Sequence, residues 1–212
     1  MATFKAQVAA LTGITISASS TNPIETELDQ FLADGVLDVT DKWLIGHPQD
    51  REKFSRRSGL TTSQGYDSGG ADIINVIRES GTADDWMPCT QTSTALQSKV
   101  TDPDSLYFAS AFSPVFTIED DGKIYVYPAP GVSPNGYKVY FVNASPIDGS
   151  GNGLAFGDST IGSFPNDKIH LVVLYASIKA INNNMAALIV DLTSFALKTV
   201  PPDLPVTAKS IP

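Results

Sequence analysis

The residues most able to do chemistry are a single cysteine and two histidines, and their spacing assembles no site. Cys89 is the only cysteine, and the two histidines, His47 and His170, stand far apart in the chain. Neither histidine lies in an HExxH pattern, so the sequence does not indicate a zinc site. No neighbour of Cys89 would lower the pKa of its thiol, which favours a buried structural thiol over a nucleophile.

One acidic loop comes close to a metal-binding pattern. Asp148, Ser150 and Asn152 match the opening of a calcium loop, but position twelve is Ser159, where a bidentate glutamate is needed. A flexible turn is therefore the favoured interpretation. The chain also lacks a G-x-S-x-G elbow and a Walker phosphate loop. We expect no catalytic residue, no bound metal and no cofactor.

Charged residues form two groups that could act on DNA or on a charged partner. The basic group contains Arg51, Lys53, Arg56 and Arg57. It could contact DNA phosphates or an acidic partner, and the alternative is a solvated helix face on which the cations pair with neighbouring carboxylates. The acidic group lies on a predicted helix and contains Glu25, Glu27, Asp34 and Asp38. Carboxylates that face a channel would repel DNA and keep it sliding, and ordinary solvent exposure is the alternative.

The amino-acid composition limits the classes of protein to which this chain can belong. The 212 residues are 42% hydrophobic and 17% charged, which is typical of an ordered globular chain with enough volume for a core. The low charge content weakly favours surface buried between subunits. The formal net charge of −9 argues against a broad basic surface that holds nucleic acid. With no signal-peptide pattern and no unbroken apolar run of about 18 residues, we expect neither secretion nor a membrane span.

The N-terminal third predicts helices. Residues 3–11 have the pattern of a short helix capped by Gly13. A second helix, ending near Ile45, is predicted to begin with Thr21 or Asn22 as its cap and Pro23 in its first turn. Residues 49–57 predict one more short charged helix. Residues 60–72 are predicted to form a Gly- and Ser-rich loop. Residues 73–77 contain enough β-branched side chains to predict a strand.

The middle of the chain predicts antiparallel strands. Residues 114–118 and 123–127 flank an Asp-Gly turn and predict a hairpin. Residues 137–142 are expected to add a third strand to that hairpin. Four tyrosines of these strands could form a stacking surface for a carbohydrate or a peptide, although alternation along a strand buries about half of such side chains. They are Tyr125, Tyr127, Tyr137 and Tyr140.

The stretch from Ser163 to Val200 predicts a long helix that is apolar on nearly every side. Such a helix must be buried on several sides, and neighbouring copies of the chain are one source of that burial. We expect the first half, Ile169 to Ile181, to be the core of the subunit, and the second half to offer one apolar stripe to partners. Asn182 to Asn184 are expected to weaken the helix. Prolines make residues 201–212 an extended arm.

Three segments together resemble the head-to-tail connector, or adaptor, proteins of tailed bacteriophages. They are ELDQFLADGVLDV, SLYFASAFSPVFTIEDDGKIYVYPAPG and FPNDKIHLVVLYASIKAINNNMA. The order of helices, strands, long helix and extended tail is similar over most of the chain. The resemblance implies an α+β fold in which helices from both ends form a bundle around an inserted antiparallel β hairpin or sheet.

The resemblance also implies a function and partners. In this family about a dozen copies form a ring in the virion neck, between capsid and tail, where the ring docks under the portal and continues the DNA channel. We therefore expect a non-enzymatic homo-oligomeric ring, a dodecamer, that contacts the portal and the next neck or tail protein, while DNA passes through its channel without sequence-specific binding. The expected portal-docking residues are Val200, Pro201, Pro202, Asp203, Leu204, Pro205 and Val206.

The predicted layout is one connector domain over residues 1–212. Its helical part covers residues 1–57 and 163–200, its β insertion residues 105–145, and its arm residues 201–212. The alternative is a β-rich binding module of a virion that recognises a carbohydrate or a peptide through the tyrosine surface.

Overall fold

The computed structural model describes residues 2–19, 21–119, 122–143 and 145–199, with side chains in the last helix described to residue 195. The fold is mixed α+β, with two sheets and a long C-terminal helix. The chain divides into two compact units. The first comprises residues 1–35, 155–159 and 170–212, and the second comprises residues 36–154 and 160–169. The single-domain prediction stays a prediction.

Helix α1 (Phe4–Thr12) opens the first unit and ends at the glycine cap that its sequence predicts. The Thr3 hydroxyl accepts the Ala6 N–H, and Gly13 closes the helix with a φ of 70°. Glycine reaches this left-handed conformation without steric cost. Backbone bonds join α1 to residues 155–159, since the N–H of Phe4 donates to the Asp158 carbonyl at 2.7 Å. The predicted helix is confirmed.

Helix α2 (Glu25–Gly46) buries one stripe formed by Leu28, Leu32, Val36 and Val39. The spacing of these residues is that of one helix face, so the predicted amphipathic helix is confirmed. The prediction that Pro23 occupies its first turn is wrong. The Thr21 hydroxyl instead accepts the Ser17 N–H, and Glu27 accepts the Ile24 N–H at 2.9 Å, so the chain enters α2 two residues later.

Helix α4 (Ile169–Thr199) completes the first unit and follows a 3₁₀ turn at Asn166–Lys168. Its buried stripe contains Val172, Val173, Ala176 and Ala180. At Gly35 of α2, an added Cβ would lie 3.0 Å from a ring carbon of Tyr175, so only a glycine allows this approach without displacing the ring. The helix continues through the asparagines, where the Asn184 side chain donates to the Asn22 carbonyl at 2.9 Å instead of competing for backbone bonds.

The second unit contains both sheets. Its strands are β1 (Ser55–Arg57), β2 (Ile73–Glu79), β3 (Trp86–Pro88), β4 (Thr90–Gln91), β5 (Val115–Glu119), β6 (Lys123–Tyr127) and β7 (Tyr137–Val142), with a short helix α3 (Gln97–Val100) between β4 and β5. The four-stranded sheet has the order β1-β7-β2-β3, and the three-stranded sheet has the order β4-β5-β6. One buried cluster is shared by both sheets, so they pack against each other: Ala71, Val76, Cys89, Phe116, Ile124, Val126, Tyr137, Val139 and Phe141.

Strand pairing confirms the hairpin and corrects the third strand. β5 and β6 pair antiparallel with Ile118 opposite Ile124, as predicted. β7 does not join them, because it lies between β1 and β2 in the other sheet, with Val76 opposite Val139. Residues 49–57 are also not one helix. Pro48–Phe54 is a 3₁₀ helix, and the chain then extends into β1.

Candidate functional site

The most unusual surface of the chain is an apolar row along α4. Seven large side chains expose between 39% of their surface, at Ile181, and 68%, at Leu192. The row is Leu174, Ile178, Ile181, Met185, Leu188, Leu192 and Phe195. Contiguous apolar surface of this kind marks a site of association, because exposing it to water is unfavourable. We call these seven residues the α4 row.

The α4 row lies on a different side of the helix from the buried stripe. Val172, Val173 and Ala176 are buried, whereas Leu174 and Ile178 are exposed within the same turns. The expectation that the first half of the helix is buried on all sides is therefore wrong. Sequence reasoning missed the row because it treated the first half as apolar all round. The signal was present in the spacing, which alternates between four and three residues over the whole row.

The second half of α4 exposes further apolar side chains. Ile189 and Val190 expose 60% and 64% of their surface in addition to the row. An isolated helix of this length is marginally stable in water, and packing normally supplies the rest of the stability. The described part of α4 therefore presents a helix that is more apolar than its own chain covers.

A second exposed apolar segment lies in the loop between α3 and β5. Leu106 is fully exposed, Phe112 exposes 74% of its surface, and Tyr107 and Phe108 are about half exposed. The Lys99 ammonium stands 5.7 Å from the centre of the Tyr107 ring. This aromatic loop belongs to the second unit, and it is a further candidate for contact with a partner.

The four residues of the predicted basic cluster do not form one patch. Arg51 pairs with Asp72, and Lys53 pairs with Asp50 at 2.8 Å. The remaining two arginines are neighbours on β1, where Arg56 is opposite Phe141 and Arg57 is opposite Tyr140. Both arginines line one surface cavity of about 410 Å³.

Local ion pairing thus separates Arg51 and Lys53 from Arg56 and Arg57, which border one cavity. Contact of individual arginines with DNA or an acidic partner stays a prediction.

The predicted acidic group of α2 is held by local bonds. Glu25 pairs with Lys5 at 2.6 Å, and Asp38 pairs with Lys42 at 2.8 Å. Glu27 caps the start of the helix, as described above, and Asp34 accepts a hydrogen bond from Gln30 at 2.7 Å. All four carboxylates are half-buried. That they face a DNA channel stays a prediction.

The four tyrosines of the alternative hypothesis are divided between two sheets. Tyr125 and Tyr127 lie on β6, and Tyr137 and Tyr140 lie on β7. Tyr137 is completely buried and its hydroxyl donates to the Ser63 carbonyl at 3.0 Å. Burial raises the pKa of Tyr137 to about 12. Tyr137 is therefore a core residue, and the four rings do not form one stacking surface.

The residues that the sequence offers as candidates for chemistry are Cys89, His47, His170 and Asp148. Cys89 is 7% exposed, and burial raises the pKa of its thiol to about 12, so the nucleophilic thiolate is disfavoured. His47 stacks on Trp43 with ring centres 4.3 Å apart, and His170 is exposed. Backbone N–H groups of Asn152 and Ser150 bond to Asp148 and lower its pKa, as in a tight turn. Among the described residues, no group of three or more His, Cys, Asp or Glu side chains could hold a metal ion.

The predicted portal-docking residues, from Val200 to Val206, lie outside the described residues. Within the described part, one helix, Asn166–Phe195, is long and apolar enough to cross a membrane, a test that the core helix of a soluble protein can also pass. No family model matches this chain, and no curated protein matches it either. The local geometry therefore carries the functional argument.

Proposed function

We propose that this chain is a non-enzymatic structural subunit that forms a ring in the neck of a tailed-phage virion. The ring joins the portal to the tail and continues the DNA channel. In this proposal, α1, α2 and α4 form the helical bundle, the two sheets form the β insertion, and residues 201–212 form the docking arm. The resemblance of three sequence segments to phage connectors is the source of the assignment.

The observation that carries the proposal is the exposed α4 row. A chain that functions alone has no use for seven large apolar side chains in water, whereas a subunit covers them on assembly. Cys89 is buried, His47 stacks on Trp43 and Asp148 is bonded in a turn, which fits a structural role.

The net charge of −9 fits a channel that DNA passes without adhering. The acidic residues of α2 would add repulsion if this helix lined the channel. The basic residues do not oppose this role, because Arg51 and Lys53 are neutralised by their own carboxylate partners.

Co-sedimentation with the portal protein encoded alongside this chain tests the proposal. We expect the full chain to sediment with portal rings, and a variant that lacks residues 201–212 to lose this binding while its circular dichroism spectrum is unchanged. A full chain that stays in the supernatant at micromolar portal concentrations would refute the neck assignment. Unchanged binding by the shortened variant would refute the role of the arm.

The tyrosine-based binding module has less support. Its proposed surface requires four rings on one face, and Tyr137 is buried in the core of a different sheet from Tyr125 and Tyr127. No other observation in the described residues favours recognition of a carbohydrate or a peptide.

A further inference from the structure

We propose that the α4 row is a coiled-coil seam and that its occupant is α4 of a second copy of this chain. A contact between the same row on two copies pairs those copies and does not by itself close a ring, so the proposal stands apart from the ring hypothesis. It depends on the exposure and the spacing of the row, and it would hold for any assembly of this chain.

The spacing of the row is that of a heptad repeat. From Leu174 to Phe195 the steps are four, three, four, three, four and three residues, a mean of 3.5. An isolated α-helix has 3.6 residues per turn, so a strict 3.5 repeat stays on one side only when two helices wind around each other. The first member, Leu174, is a d position, and Ile178, Met185 and Leu192 are the a positions. All seven a and d positions are apolar and exposed.

The length of the seam is sufficient for stable pairing. Leu174 to Phe195 spans 22 residues, or about 33 Å of helix at about 1.5 Å per residue. Taking roughly 100 Å² of exposed surface for each side chain, the row offers on the order of 700 Å², close to the about 800 Å² that each partner contributes to a standard interface. A row of this size needs a partner of similar length, and a second α4 has that length.

The residues beside the seam favour an identical partner. Positions e and g of a coiled coil select partners by charge. Here they are Tyr175, Ser177, Asn182, Asn184, Ile189 and Asp191, with one charge in six. Two copies of the chain, each with a net charge of −9, can therefore approach along this row without strong repulsion. No set of flanking charges specifies a different helix.

Two variants on the same helix test the seam. Leu188→Asp places a carboxylate at a d position, and Val190→Asp places one at an f position on the far side, two residues away. The two side chains are similarly exposed, at 55% and 64%, and both variants change the net charge equally. Leu188→Met preserves an apolar side chain at the seam.

Sedimentation equilibrium of the full 212-residue chain measures association in buffer. We expect the wild-type chain to associate at micromolar concentrations, Leu188→Asp to weaken association at least hundredfold, and Val190→Asp and Leu188→Met to change it by less than about threefold. A wild-type chain that is monomeric at about 100 μM overturns the proposal. Equal losses in the two aspartate variants also overturn it, because association would then not depend on the seam.

The same variants separate this proposal from the neck assignment. If wild-type copies associate through the row but fail to bind the portal, the neck assignment fails and the seam stands. If wild-type copies stay monomeric and Leu188→Asp abolishes binding to the portal or to lipid vesicles, the row docks that partner and the proposed homotypic seam is wrong.

Discussion

Replacing Tyr137 by phenylalanine tests whether this ring is a core residue or part of a binding surface. The Tyr137 side chain is completely buried, and its hydroxyl donates to the Ser63 carbonyl. Loss of that bond should lower the free energy of unfolding at pH 7 by about 1 kcal/mol. The same hydroxyl titrates only near pH 12 in the folded chain, against 10.0 for an ordinary tyrosine.

The raised pKa of Tyr137 means that the free energy of unfolding falls at high pH. Above pH 10 the unfolded chain releases this proton more readily than the folded chain, so stability is lost as the pH rises toward 12. Each pH unit in this window costs up to about 1.4 kcal/mol, or about 3 kcal/mol in all. Tyr137→Phe removes this loss. The variant should therefore be less stable than wild type at pH 7 and as stable near pH 11.

Urea unfolding followed by circular dichroism, at pH 7, 9, 10 and 11, measures the difference between the two chains. The difference in the free energy of unfolding between the two chains is independent of lysines and other titrating groups, because both chains share them. A difference in the free energy of unfolding that stays constant from pH 7 to pH 11 would refute the placement of Tyr137 in the core. Tyr140→Phe, on the half-buried face of the same strand, is the matched control.

Three further predictions concern other parts of the fold. Burial, together with the nearby charges of Asp158 and Glu25, raises the pKa of Asp29. In thermal melts, Asp29→Asn should therefore gain stability relative to wild type as the pH rises from 4 to 7. A difference in melting temperature between the two chains that does not change with pH would contradict this. Cys89 should resist a thiol reagent at pH 8 until the chain unfolds, and rapid labelling of the folded chain would show that the thiol is accessible. Gly162→Ala would drive a Cβ into the Asp148 carbonyl and should cost about 1–3 kcal/mol in chemical denaturation, whereas Gly157→Ala, which meets nothing within 4 Å, should change stability little.

Features set by neighbouring residues could be predicted from the sequence. Helix α1 ends at Gly13 as expected. A glycine that adopts the left-handed conformation ends a helix through local backbone bonds alone, so no distant contact had to be known. The hairpin of β5 and β6 followed from strand patterns on both sides of an Asp-Gly turn. The periodic stripe from Leu28 to Val39 predicted the buried face of α2.

Features set by distant residues could not be predicted in this way. β7 has the sequence of a strand, but its partner β2 lies about sixty residues earlier, and alternation alone does not select between β2 and β6. The cavity that Arg56 and Arg57 share depended on the pairing of β1 with β7, which the helical interpretation of residues 49–57 excluded. The α4 row was visible as a spacing but became meaningful only when exposure separated it from the buried stripe of the same helix.

The central claim is that copies of this chain assemble into a closed ring that docks on a portal. Electron microscopy of the purified full-length chain, alone and mixed with portal rings, tests this claim most directly. The account predicts closed rings of one size, stacked coaxially on the portal in the mixture. Isolated monomers in both preparations, with portal rings left bare, would contradict it.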